Sequence, residues 1–278
     1  MIVDAHHHLW DPDRADYPWL TDELASIRRP FGATDLAPLL ASEGVEATVL
    51  VQTRSSIDET REFLSTASVV PFIRGVVGWV DLTDPAVEGT LAALRDGPGG
   101  DRLVGIRHQV HDESDPDWLL RADVRRGLAA VARSGLTYDL LVRARELPAA
   151  RELVASMPDV CFVIDHLAKP PIRDGAFQPW ADLVTSFSGF ANVAWKLSGL
   201  VTEADWARWT PADLAPFVDH ALAVFGPERL IFGSDWPVCL LAAPYPRVVA
   251  AARELTSGLS ASERAAVFGE NARTVYRL

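Results

Sequence analysis

The chain has 278 residues, 49% of them hydrophobic and 23% charged, and carries a formal net charge of −12. This is the composition of a soluble globular protein, and no apolar run is long enough to span a bilayer. The acidic excess argues against a nucleic-acid partner, because such binding depends on basic side chains that neutralise phosphates.

The first apolar run, Ile2 to His8, reads as a strand. Strand side chains alternate between faces, so His6 and His8 point the same way. Two same-facing imidazoles suit a divalent ion or an oxyanion, and a carboxylate from elsewhere in the fold would complete a metal site. Ile2, Val3, Leu9 and Trp10 tie the segment to a packed element, which a purification tag would not show. Seven further β-branched runs follow: Ala47 to Thr53, Phe72 to Val80, Leu103 to Val110, Leu136 to Val142, Val160 to Leu167, Val193 to Ser198 and Leu230 to Ser234. Helical periodicity fills the intervals. Ser56 with Glu59 and Ser260 with Glu263 have capping-box spacing, while Asp84 before Pro85 and Thr210 before Pro211 look like an N-cap followed by proline at the first helical position.

Eight strands alternating with helices every ~25 to 40 residues predict a single (β/α)8 TIM barrel over residues 1–278, a fold of about 250 residues. A doubly wound open sheet would place a glycine-rich phosphate loop after the first strand, and there is none. Cys161 and Cys239 are the only cysteines, with neither metal-binding nor redox spacing, as expected of a reducing cytoplasm. All but two of the 26 basic residues are arginine, which singles out Lys169 and Lys196 as places where a compact ammonium is kept.

In a barrel the catalytic groups lie at the C-terminal strand ends. Those ends carry His6 and His8, Gln52 and Arg54, Trp79 and Asp81, Arg107, His108 and His111, Asp165, His166 and Lys169, Lys196 and Ser198, and Ser234, Asp235 and Trp236. A carboxylate on the last strand opposite His-x-His on the first is a hydrolytic arrangement. Asp235 is placed as a general base that takes a proton from water while a metal or a protonated imidazole polarises a carbonyl. Alone, Asp235 has a helix N-cap as its second reading.

These motifs resemble the amidohydrolase superfamily, and within it the amidohydrolase-related branch that contains sugar lactonases such as L-fuconolactonase and L-rhamnonolactonase. The resemblance spans nearly the whole chain. It rests on Asp4 to Trp10, Gly75 to Asp81, Gly105 to His108, Asp165 to Pro170, Lys196 to Gly199 and Gly233 to Pro237. It implies a (β/α)8 fold, His6, His8, His166 and Asp235 at the metal or catalytic positions, Asp235 as base with His166, and a sugar lactone as substrate. Binuclear members bridge two metals with a carboxylated lysine on strand four or five; no lysine precedes Lys169 here. The implied site therefore holds one divalent metal, zinc by its ligand set, or none, with the histidines polarising the ester directly.

Trp10, Gln52, Arg54, Trp79, Arg107, His108, Lys196 and Trp236 are the candidates for substrate binding, the tryptophans by stacking on an apolar sugar face. Lys169 is expected to contact substrate or to hold Asp165. The alternatives are a metal-dependent decarboxylase of the same superfamily and a non-catalytic carbohydrate-binding barrel. The expected partner is a small-molecule sugar lactone, with no nucleic acid or membrane, for a cytoplasmic monomer or homodimer.

Overall fold

The computed structural model describes residues 1–278. Eight strands run in sequence order around one parallel sheet: β1 (Ile2–His7), β2 (Val45–Val51), β3 (Ile73–Gly78), β4 (Leu103–His108), β5 (Thr137–Leu140), β6 (Phe162–Ile164), β7 (Val193–Leu197) and β8 (Leu230–Phe232). The helices between them include α1 (Ala33–Glu43), α2 (Ile57–Val69), α3 (Val87–Asp96), α4 (Ala122–Arg133), α5 (Leu147–Ser156), α6 (Trp180–Thr185), α7 (Leu200–Glu203), α8 (Pro211–Phe225), α9 (Tyr245–Leu255), α10 (Ala261–Ala265) and α11 (Asn271–Tyr276). The predicted (β/α)8 barrel is what the chain forms. No helix is long and apolar enough to cross a membrane.

Strands buried on both faces read as continuous apolar runs, because helices cover one face and the barrel interior the other. The larger core lies between sheet and helices. A smaller one fills the lower barrel with Val3, Ala5, Val49, Val77, Val163 and Ile231, and α11 closes it from below with Ala272 and Tyr276. Above that apolar plug the inward positions become polar.

The seam between β8 and β1 positions the mouth. His8 N–H donates to the Trp236 carbonyl at 2.7 Å and Asp235 N–H to the His6 carbonyl at 2.8 Å. The Asp4 carboxylate reinforces it: Oδ1 accepts the backbone N–H of His6 at 3.2 Å and of Ser234 at 2.8 Å, and Oδ2 accepts the Tyr245 hydroxyl at 3.1 Å. In β1, Asp4 pairs with Thr48 but His7 with Leu50, so one extra residue is accommodated. Such a bulge re-aims side chains. Ala5 packs in the inner core, His6 meets the barrel-interior groups Asp165 and Lys196, and His7 instead bonds Thr48 Oγ1 at 2.9 Å.

Ser56 and Ser260 each accept the N–H three residues on at 3.3 Å, as their spacing predicts. Glu59 does not complete its box; its carboxylate takes Thr53 N–H at 2.8 Å and Arg54 N–H at 3.0 Å, stiffening the end of β2. Asp84 is not the N-cap of α3. It accepts Ala86 N–H at 2.8 Å in a side-chain turn, and the helix starts at Val87.

Asp4→Ala strands two buried backbone donors and is expected to lower unfolding free energy by about 2–4 kcal/mol. Asp4→Asn keeps an acceptor and should fall clearly less, as read by denaturant midpoints of the two variants.

Candidate active site

The polar layer above the plug is a continuous ion network. Lys196 Nζ lies 2.6 Å from Asp139 Oδ2 and 3.0 Å from Asp165 Oδ1, and the Tyr276 hydroxyl donates to Asp139 Oδ2 at 2.7 Å. Arg107 Nη1 lies 2.9 Å from Asp165 Oδ2, while its Nη2 donates to the backbone carbonyl and side-chain Oε1 of Gln52 at 2.5 and 3.1 Å. Burial opposes ionisation of Asp165, yet Lys196, His6 and Arg107 outweigh it and hold the carboxyl well below its usual range. Burial pushes Asp139 up.

On this floor stand the histidines. His6 Nδ1 is 3.3 Å from Asp165 Oδ1 and 3.1 Å from Lys196 Nζ, so its ring is fixed from beneath and Nε2 faces the mouth. His8 Nδ1 is 2.8 Å from the Val51 carbonyl, which only accepts, so Nδ1 carries a proton and Nε2 turns to the same point. The two Nε2 atoms are 3.2 Å apart; Asp235 Oδ1 lies 3.3 Å from His8 Nε2, 3.7 Å from His6 Nε2 and 4.0 Å from His166 Nε2. Ligand atoms ~2.0–2.1 Å from a tetrahedral zinc stand about 3.3–3.4 Å from one another. The His6, His8 and Asp235 donors fit one such ion. Arg107 Nη1, 3.3 Å from His6 Nε2, brings a second electrophile to the same place.

Burial opposes a charge on Asp235, but the imidazoles of His166, His8 and His6 hold its carboxyl well below the usual range. Burial lowers His166 to about 4, so the ring is neutral at pH 7. Its Nδ1 is 2.8 Å from Ser198 Oγ.

His166, Leu167, Ala168 and Lys169 all have left-handed φ, 54°, 49°, 58° and 51°. Each such residue costs roughly 1–2 kcal/mol outside glycine, so the surroundings must over-determine the turn. Trp180 Nε1 donates to the Leu167 carbonyl at 2.7 Å and Lys169 N–H to that of His166 at 2.8 Å. Residues three apart eclipse in so tight a turn, and His166 and Lys169 both line the cavity. Asp235 is also left-handed, at φ 58°. Glycine lets these side chains in: a Cβ on Gly199 would meet His166 Nδ1 at 2.5 Å, and one on Gly233 would meet His6 Cβ at 2.6 Å.

A cavity of about 150 Å³ opens on the cluster. Its lining is His8, His166 and Asp235 with Arg107, Trp19, Thr53, Gln109, His111, Asp112, Leu141, Lys169 and Val238. Of the eight residues named for substrate binding, Arg107 is among them; Lys169, expected to contact substrate or to hold Asp165, lines the cavity as well. Trp10 is buried with its Nε1 donating to the Ile27 carbonyl at 3.1 Å, and Trp236 packs edge-on against Phe31. Trp79 Nε1 donates to His108 Nδ1 at 3.0 Å, and His108 Nε2 reaches Glu113 at 2.8 Å and stacks on Trp118. Arg54 pairs with Glu59 at 3.2 Å outside the cavity, while Gln52 and Lys196 belong to the buried network. Lys169 does not hold Asp165; it pairs with Glu203 at 2.8 Å. Asp139, a charged residue in the middle of an apolar strand, was a readable sign of a buried ion network. Trp19 sits in the irregular segment after β1, where no periodicity places a side chain.

The family model described as amidohydrolase matches residues 3–278. The chain belongs to the amidohydrolase family. An L-fucono-1,5-lactonase of Burkholderia multivorans is 38% identical, the match covering 100% of this amidohydrolase and 96% of that protein. The solved structure of an amidohydrolase from Burkholderia multivorans with bound zinc superimposes with a TM-score of 0.95 at 37% identity, covering 100% and 99% of the two chains. A 2,6-dihydroxybenzoate decarboxylase, at 13% identity and a TM-score of 0.67 over 100% and 98%, shares the fold.

Gly199→Ala combines a left-handed φ with contact on His166, and is expected to cost about 2 kcal/mol or more in a denaturant titration. Gly189→Ala, where nothing lies within 4 Å, is the control.

Proposed function

We propose that this amidohydrolase opens a sugar lactone, an aldonolactone, with Asp235 as the base. The observation that carries the reading is the convergence of His6, His8, His166 and the ionised Asp235 at the floor of one polar cavity. The likeness to an L-fucono-1,5-lactonase over the full chain supports the substrate class.

An ester needs less help at its leaving group than an amide, so one base and one electrophile suffice. Asp235 takes a proton from the attacking water. The oxyanion that develops on the carbonyl falls to donors already in place: Arg107, whose Nη1 stands 3.3 Å from His6 Nε2, and His166 Nε2–H when Ser198 donates to Nδ1. The proton on Asp235 then passes to the departing ring oxygen, releasing the open hydroxy acid.

A carboxylate held as low as Asp235 stays ionised but is a weak proton acceptor, so the water must be made more acidic. His6, His8 and Asp235 would hold one divalent ion, zinc by the ligand set, which would lower the pKa of water and polarise the carbonyl. His166 stands beside this set through Asp235.

Asp235→Asn keeps size and tolerates left-handed φ, and is expected to cut kcat/KM for sugar lactones by about 100-fold or more. A loss within tenfold sinks the assignment. Zinc at about 100 times its Kd should stabilise the wild type by about 2.7 kcal/mol in thermal unfolding, and this shift should vanish in His8→Ala and Asp235→Ala. A panel of sugar lactones followed by pH indicator, with and without chelator, tests substrate and metal together. Proton release with none of them overturns the lactonase reading.

A further inference from the structure

His6 and His8 turn their Nε2 atoms to the same point, but the groups behind the two rings are opposite in kind. A histidine that ligates a metal through one nitrogen donates its other ring N–H to a carboxylate or carbonyl oxygen, and that bond fixes which nitrogen is bare. His8 is built so: its Nδ1–H goes to the Val51 carbonyl at 2.8 Å and Nε2 is a free lone pair. Behind His6 the partner is Lys196, whose Nζ stands 3.1 Å from Nδ1. Lying 2.6 Å from Asp139 Oδ2 and 3.0 Å from Asp165 Oδ1, Lys196 is an ammonium, with three donors and no lone pair. His6 Nδ1 therefore accepts, and the ring proton sits on Nε2. His8 gives the same answer independently. The two Nε2 atoms are 3.2 Å apart, and since that of His8 is bare, that of His6 carries the hydrogen between them. The bonds then run in one direction, from Lys196 to His6 to His8 to Val51. Arg107 Nη1, 3.3 Å from His6 Nε2, is the one donor that this proton turns away, and it has Asp165 Oδ2 nearer at 2.9 Å.

A protonated Nε2 is the wrong form for a metal ligand. The acceptor that the other form requires is already in place: Asp165 Oδ1, paired with Lys196 by charge but taking no hydrogen bond, lies 3.3 Å from His6 Nδ1. We infer that Lys196 is a positioning residue that holds His6 in the Nε2–H form, and that Asp165 Oδ1 is the acceptor for the form that binds an ion. Between the two forms the ring gives up its proton at Nε2 and takes one at Nδ1, with no net gain or loss. Nδ1–H then donates to Asp165 Oδ1, while Lys196 keeps its three protons and turns to the two carboxylates alone. His6 is thus a hydrogen-bond donor at the mouth when no ion is held, and a ligand beside His8 and Asp235 when one is. The inference rests on the ligand set proposed above and is independent of which ester is opened.

The test reads the tautomer itself, at neutral pH, from two-bond proton–nitrogen correlations of the imidazole rings in isotope-labelled protein, with His6→Gln identifying the His6 signals. In chelator-treated wild type His6 is expected as Nε2–H and His8 as Nδ1–H; on adding zinc alone, His6 is expected to change to Nδ1–H while His8 stays as it is. His6 as Nδ1–H before zinc overturns the inference, and so does a His6 that zinc leaves unchanged. Lys196→Met leaves Asp139 its Tyr276 donor and Asp165 its Arg107 partner. In that variant His6 is expected as Nδ1–H without zinc, and zinc titrated against a chelating dye is expected to bind at least about tenfold more tightly. Loss of a positive charge alone also favours zinc, so the variant's tautomer assigns the effect: a tighter site with His6 still Nε2–H overturns the role of Lys196. Should the variant not fold, the wild-type spectra with and without zinc decide. None of these readouts uses turnover. A wild type that opens no lactone but shows the zinc-dependent change keeps the inference and sinks the reaction assignment, and one that opens a lactone with His6 fixed as Nδ1–H does the reverse.

Discussion

The oxygen Asp4 Oδ1 accepts backbone N–H groups from both ends of the sheet, from His6 at the exit of β1 and from Ser234 just past β8. That shared acceptor joins two segments more than 220 residues apart, and the adjoining bond from Asp235 N–H to the His6 carbonyl sets Asp235 beside the first histidine. Burial pushes the Asp4 carboxyl up to about 6 despite the hydrogen bonds from Ser234, His6 and Tyr245. A buried acceptor with three donors around it is expensive to disrupt, so the seam is rigid and the site inherits its rigidity. The bulge in β1 belongs to the same device, because it lets His6 follow Ala5 into the barrel.

Above the seam, conformational strain is concentrated at residues that line the cavity. Besides the C-terminal Arg277, the non-glycine residues with left-handed φ are 166–169 and Asp235. The turn at 166–169 explains why β6 is only three residues long, since its ladder ends where the chain reverses hand. Holding His166 and Lys169 on one eclipsed face brings both into the cavity lining from one structural feature. Packing around Trp180 and the space left by Gly199 make that hand tolerable.

Below, the ion network separates two tasks that burial would otherwise set against each other. Lys196 and Arg107 stabilise Asp165, which braces His6, and Tyr276 from the last helix donates to Asp139 Oδ2. Removing one buried charge from such a set leaves another unpaired, which costs more than the pair contributes. The lysine that the composition singled out at 196 is thus a compact ammonium between two carboxylates, in a space where a guanidinium fork would need more room.

The sequence by itself determined the eight-strand barrel, because strands covered on both faces are continuously apolar and recur between helices. It determined that His6 and His8 share a face, because strand alternation is local, and its motifs placed His166 and Asp235 beside them through resemblance. Its substrate-binding candidates were chosen by nearness to strand ends, which says where a backbone stops and nothing about where a side chain points. Only the tertiary structure decided that Trp10, Trp79 and Trp236 turn away into packing, that Arg107 reaches the cavity, and that Trp19, His111 and Lys169 line it. Those outcomes depend on a left-handed turn, an irregular loop and partners 30 or more residues distant, such as Glu203 for Lys169 and Leu141 for His111. Periodicity carries no information about any of the three.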